Sequence, residues 1–184
     1  DQGFVLAQQF WGETDMFPYT HALLKVQQLN NTPAADVERK KEIYLESQQL
    51  LDLAVSNNPL RPIAYFIRCR LLVTAAELAG DDWLGKAEAA FKQSLVLDPR
   101  YLEARLTLAR ILDVTARQAE ADILLAEGMP NSYSGDDPNI LTYYKMLAAA
   151  RSRTGDLVGA SAVVGRHNQI LQGQLNKFQQ KAKR

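Results

Sequence analysis

Apolar residues recur at three- and four-residue intervals along almost the whole chain, the pattern of helices that each bury one face. Nine helical segments follow from it. Phe4, Phe10 and Trp11 give a short helix over about residues 3–11 an apolar side. Leu23, Leu24 and Val26 do the same for a helix that starts near Pro18, a residue suited to a first turn, and ends near Leu29. Asn30-Asn31-Thr32-Pro33 breaks the pattern. A longer helix then covers about 35–56, with Ile43, Tyr44, Leu50, Leu51, Leu53 and Ala54 as its predicted buried side. The rest reads as pairs: 62–79 with 84–97, 101–115 with 117–127, and 139–153 with 156–172. No run of alternating β-branched residues flanks an Asn-Gly or Asp-Gly turn, so no strand is predicted.

The connections within pairs are short, namely Gly80-Asp81-Asp82-Trp83, Ala116 and Thr154-Gly155, and short connections make neighbouring helices antiparallel. The longest break, 129–138, carries Pro130, Asn131, Ser132, Ser134 and Gly135 and reads as an extended loop. Asp98 and Asp137, each just before a proline, suit the start of the following helix. The polar, basic tail 172–184, with Leu175 and Phe178 as its strong apolar residues, reads as a solvated capping helix.

A longer period overlies the helical one. Pro59, Pro99 and Pro138 are spaced 40 and 39 residues apart, and each follows Asn or Asp. Ten residues beyond each lies a small side chain, Cys69, Ala109 or Ala148. A fixed period in this range predicts a repeat architecture, in which each unit buries its apolar face on the next.

Composition narrows the function classes. Hydrophobic residues at 47% and charged residues at 23% predict one globular domain over 1–184 rather than a disordered chain. Lys plus Arg equal Asp plus Glu at 21 each, which gives no general reason to expect nucleic acid or an anionic membrane as partner. No apolar run approaches the ~18 residues of a transmembrane helix. The lone Cys69 excludes an internal disulfide and a cysteine-rich zinc site. The chain reads as soluble, cytoplasmic or periplasmic, with the compartment unknown.

Candidate chemistry is sparse, and neither an enzyme nor a bound cofactor is expected. His21 and His167 lie in opposite terminal regions, outside any metal-ligand spacing. Cys69 falls on a small-residue position and reads as packing rather than nucleophile. Gly80, Gly85, Gly155, Gly159 and Gly165 match no phosphate-binding loop. Asp81-Asp82 and Asp136-Asp137 read as helix caps. Trp83, in a turn, and Tyr143-Tyr144, with one ring for the core and one for a surface, are the candidate aromatic anchors.

Specific residues then carry a family resemblance. The run Leu84-Gly85-Lys86-Ala87-Glu88-Ala89-Ala90-Phe91-Lys92-Gln93-Ser94-Leu95-Val96-Leu97-Asp98-Pro99 resembles the second helix of a tetratricopeptide repeat, with its alanine, the aromatic four residues on and the closing Leu-Asp-Pro. Ala109 and Ala121 stand where that family places small residues, and Thr154-Gly155-Asp156-Leu157-Val158-Gly159-Ala160 resembles its inter-helix turn. Small residues let helix backbones approach while Phe91 and Leu125 fill the gap to the next hairpin. The resemblance covers roughly residues 44–168. Against the 34-residue family repeat, the Pro59 unit has about six extra residues, read as a longer first helix, and the loop near Ser132 about five.

The resemblance implies an all-α fold: a right-handed superhelix of about four antiparallel helix–turn–helix repeats. These are an N-terminal helix (1–14), a divergent repeat (15–59), repeats at 60–99 and 100–137, and a last repeat with its capping tail (138–184). Divergent α-solenoids of about 40 residues per repeat are the alternative. In this family peptides lie against the first helix of each hairpin. The implied groove positions are Ile63, Phe66, Arg70 and Val73, then Glu103, Leu106, Arg110 and Asp113, then Thr142, Lys145, Ala149 and Ser152. Arg70 and Arg110 are equivalent, and with Lys145 nearby they suit a carboxylate or an acidic segment. The competing reading is that they are solvated charges paired with Glu103 and Asp113. The two-carboxylate clamp of chaperone-binding members is not matched.

Three functions are compatible with this reading. The first is a non-catalytic scaffold that binds a peptide or protein segment in its concave groove. The second is the soluble repeat portion of a larger membrane-associated envelope or glycan-assembly protein. The third is self-association through the apolar N-terminal helix, with Phe4, Phe10 and Trp11 packed on another copy.

Overall fold

The computed structural model describes residues 16–128 and 133–182, and the predicted N-terminal helix with Phe4, Phe10 and Trp11 lies outside them. Among the described residues the fold is all-α, with nine helices and no strand. They are α1 (Met16–Asn31), α2 (Val37–Asn57), α3 (Pro62–Thr74), α4 (Ala76–Ala79), α5 (Trp83–Leu97), α6 (Leu102–Val114), α7 (Gln118–Ala126), α8 (Ile140–Arg153) and α9 (Leu157–Ala182). The chain divides into two compact units, Asp1–Asp98 and Pro99–Arg184.

In the first unit α1 packs on α2 and α3 on α5, while α1 also lies against α3 and α2 against α3. The core between them is built from Ala22, Val26, Leu29, Ile43, Tyr44, Leu51, Ile67, Leu71 and Ala75. Asp36 starts α2 by accepting from Arg39 N at 3.3 Å. Pro62 at the first position starts α3. Ser94 Oγ donates to the Pro62 carbonyl at 3.0 Å and pins α5 to the start of α3. Small side chains set the close approaches, since Ala54, Ala64, Cys69 and Ala87 are all at 0% exposure.

Several expectations change here. Leu53 is 43% exposed and the buried α2 position is instead Ser47, whose Oγ donates to Ile43 O at 2.7 Å. The extra residues after α3 do not lengthen it. The helix stops at Thr74, Ala75 caps it in a non-helical conformation, and α4 makes a separate turn. Asn58 and Asp98 sit in extended backbone as the C-terminal caps of α2 and α5, their N–H groups donating to Ala54 O and Ser94 O, so they end one helix rather than begin the next.

The second unit repeats the arrangement. α6 packs on α7 and α8 on α9, α7 lies against α8, and α6 touches α8. Both tight turns use the same device. The N–H of Ala116 donates to Asp113 O and that of Arg117 to Leu112 O; the N–H of Gly155 donates to Ser152 O and that of Asp156 to Arg151 O. This pair of bonds is the Schellman cap, which needs a left-handed residue at its centre. Gly155 supplies φ +81° without strain, whereas Ala116 adopts φ 60° despite its Cβ.

Arg105 is a buried charge that the apolar pattern gave no reason to expect. At 4% exposure it donates from Nη1 to Leu124 O at 2.6 Å and from Nη2 to Pro99 O at 3.0 Å, joining the start of α6 to the end of α7. The C-terminal tail continues α9 as one helix of 26 residues. Ser134 and Gly135 belong to a segment held against that helix, with Gln174 Nε2 donating to Gly135 O at 2.7 Å and Lys177 pairing with Asp136 at 2.7 Å. No helix among the described residues is long and apolar enough to cross a membrane.

Candidate binding faces

Each unit places the first helices of its two hairpins in contact, α1 with α3 and α6 with α8, and the sequence-predicted residues distribute unevenly over these helices. Arg70 belongs to the first unit; Glu103, Arg110, Asp113 and Lys145 belong to the second. Phe66, expected to line a groove, is only 3% exposed and packs against Phe91 with ring centroids 6.0 Å apart. Its role is core filling. Leu106, at 1% exposure, is corrected in the same way. Arg70 remains half-buried with its guanidinium 5.9 Å from the centre of the Phe66 ring, so the buried aromatic orients the cation rather than meeting a ligand itself.

On α6 the positions left to solvent are Glu103, Arg110, Asp113 and Val114, with Thr107 half-buried between them. On α8 they include Lys145, Ala149 and Ser152. Glu103, Arg110 and Lys145 form no side-chain ion pair or hydrogen bond among the described residues, so the expected pairing of Arg110 with Glu103 and Asp113 is not seen. Asp113 instead adds a lesser negative charge near Arg153, whose chief partner is the hydrogen-bonded Asp122. These three side chains are charges that folding leaves unused.

The other candidate residues are absorbed by packing. Tyr143 and Tyr144 are both core residues, at 0% and 2% exposure, which corrects the expectation of one surface ring. Tyr143 donates to Leu125 O at 3.1 Å and meets Tyr133 edge-on at 5.0 Å. Cys69 is buried, its Sγ donates to Tyr65 O at 3.0 Å, and burial holds the thiol far above its ordinary pKa. His21 is buried beside Lys25, and burial followed by that charge holds its pKa down. Trp83 opens α5 half-buried. Among the described residues no three His, Cys, Asp or Glu side chains are grouped so as to hold a metal.

Two clefts lie elsewhere and had no counterpart in the sequence reading. One of about 450 Å³ runs between α2, α3 and α5, with Leu51, Leu72 and Ala90 beneath and Asp52, Arg68 and Lys86 at its edge. Arg68 and Asp52 pair there at 2.5 Å. The other, about 550 Å³, lies between α7 and α8 and contains Asp122 and Arg153. Arg153 donates twice to Asp122, at 2.5 and 3.1 Å, and this hydrogen bonding holds the nearly buried Asp122 carboxyl below its usual range. Asp122 could have raised suspicion, since an aspartate one residue after Ala121 and three before Leu125 falls on the buried side of α7 and demands a cation. Its partner lies 31 residues away and has no local signature.

Compared with known proteins, the chain matches no family model and no curated protein.

Proposed function

We propose that this chain is a non-catalytic interaction scaffold, a tetratricopeptide-like array whose first-helix faces bind a peptide or a segment of another protein. The observation that carries the reading is the unused charge on α6 and α8. Glu103, Arg110 and Lys145 stand exposed on two helices in contact, and no side-chain partner among the described residues consumes them. Alternating charge of this kind suits a segment that crosses the helices and offers carboxylates to Arg110 and Lys145, with Glu103 selecting its register. Arg70, held over Phe66, offers an equivalent cation in the first unit. Contacts of this type give about micromolar affinity for a short segment.

The test is capture from lysate of the source cells by the parent chain and by two variants, Arg110→Glu/Lys145→Glu and Arg70→Glu, with helicity checked by circular dichroism. The expected result is a defined partner captured by the parent and lost by the first variant. Equal capture by parent and both variants overturns the assignment to the first-helix faces.

A further inference from the structure

Three short stripes of side chains converge on the cleft between α2, α3 and α5. Gln48, Leu51 and Asp52 share one face of α2 through their three- and four-residue spacing. Tyr65, Arg68 and Leu72 do so on α3, and Lys86, Ala89, Ala90 and Gln93 on α5. Helix α3 packs against both neighbours and forms the floor between them. Between its two polar residues α5 offers only methyl groups, Ala89 and Ala90, so its wall does not fill the space as larger side chains would.

Chain direction orders the rim. Ser94 Oγ donates to the Pro62 carbonyl at 3.0 Å and α5 runs antiparallel to α3, so Gln93 lies at the Tyr65 end and Lys86 at the Leu72 end. Between these ends lie Leu51, Leu71, Leu72 and Ala90, all buried. The step from Lys86 to Gln93 spans about 10.5 Å, the length of a hydrocarbon chain of about nine carbons. The cleft volume, about 450 Å³, falls within the roughly 300–1,000 Å³ of small-ligand sites, which pair an apolar lining with a few polar anchors.

Folding leaves this rim with unspent donors. Arg68 makes one bond, from Nη2 to Asp52 Oδ1 at 2.5 Å, and its Nε and Nη1 are not used among the described residues. Lys86 and Gln93 make no side-chain hydrogen bond or ion pair among the described residues. The charges that line the cleft are Arg68, Lys86 and Asp52. The Asp52–Arg68 pair therefore leaves one cation, Lys86, uncompensated.

We propose that this cleft binds a small amphipathic monocarboxylate. The carboxylate accepts from Lys86 Nζ at one end, and the apolar chain lies over Leu72, Leu51 and Ala90 toward Tyr65 and Gln93. One uncompensated cation selects a monoanion over a phosphate dianion, and a cleft this short selects a small molecule over a helix of another protein. The site lies wholly in the first unit and shares no residue with the charged faces of α6 and α8.

The experiment titrates decanoate and decyltrimethylammonium into the whole chain, each below its micelle-forming concentration, and reads binding by isothermal titration calorimetry. Decanoate is expected to bind at one site, at least tenfold more tightly than the cation. Lys86→Gln weakens decanoate binding at least tenfold, and Lys86→Glu reverses the preference. Arg166→Glu, which changes the net charge equally in the other unit, leaves decanoate binding as in the parent. Ala89→Trp, at an exposed position on the cleft wall, fills the space and abolishes binding while the urea midpoint stays that of the parent. Absence of saturable binding, or equal affinity for the two probes, overturns the inference. So does decanoate binding that survives both Lys86→Gln and Ala89→Trp, which would move the site to the exposed apolar residues of α9. An acetylated Glu-Leu-Leu tripeptide that binds more tightly than decanoate also overturns it, because the occupant would then be a protein segment.

Discussion

The two tight turns of the second unit form a controlled pair, because the same hydrogen bonds close both and only the central residue differs. Ala116 at φ 60° bears the left-handed penalty of an L side chain, roughly 1–2 kcal/mol. Replacing it by glycine removes that penalty but adds about 0.5–1 kcal/mol of unfolded-state backbone entropy. Ala116→Gly is therefore expected to stabilise the second unit by about 0.5–1 kcal/mol. Gly155→Ala is expected to destabilise it by a similar amount. The cost at Gly155 is conformational alone, because a Cβ built there has no atom within 4 Å to strike. Both sites lie in the same compact unit, so they report on the same unfolding event. Urea unfolding followed by circular dichroism gives the midpoints, and calorimetry should show opposite displacements of about 1–4 °C. If Ala116→Gly lowered the midpoint, or if both changes moved it the same way, the shared-turn argument would fail.

Three further outcomes follow from buried contacts. A Cβ at Gly128 would lie 2.2 Å from the Tyr143 hydroxyl, so Gly128→Ala should cost about 1–3 kcal/mol, and adding Tyr143→Phe should recover part of that loss; additive costs in urea unfolding would refute the contact. Asp122 titrates below its ordinary value in the folded state, so its contribution is present above about pH 4 and lost as pH falls through the folded value. Because Arg153 is 43% exposed, the pair should supply only about 1–2 kcal/mol at neutral pH, and Asp122→Asn should flatten the acid limb of a stability–pH curve that an unchanged limb would contradict. Cys69 should react with a maleimide only as fast as the first unit opens, since its thiol is buried and held protonated; rapid stoichiometric labelling of native protein would refute this.

Residues whose role depends on spacing along one helix were legible in the sequence. Ala109, Ala121, Phe91 and Leu125 were read as close-approach and gap-filling positions, and each is at most 1% exposed. The helix pairs follow from the same local information. Residues whose role depends on how many neighbours a helix has were not legible. Phe66 was assigned to a free surface by counting from Pro59, but α3 touches α1, α2 and α5 and buries a wide arc that includes Ala64, Phe66, Ile67, Cys69, Leu71 and Leu72. The expectation of one surface ring in Tyr143-Tyr144 fails because α8 meets α6, α7 and α9 and buries both rings. A helix with three neighbours keeps only a narrow strip for solvent, and a fixed offset from a motif does not locate that strip. Glu103, Arg110 and Lys145 remain candidates because packing leaves them on it. The exposed apolar stripe on α9, Val164, Leu171, Leu175 and Phe178, has the opposite origin. That helix outruns its partner, so a stripe of ordinary core composition stays uncovered. In both cases the solvent-facing strip is what remains after intramolecular packing is subtracted, and the sequence alone cannot perform that subtraction.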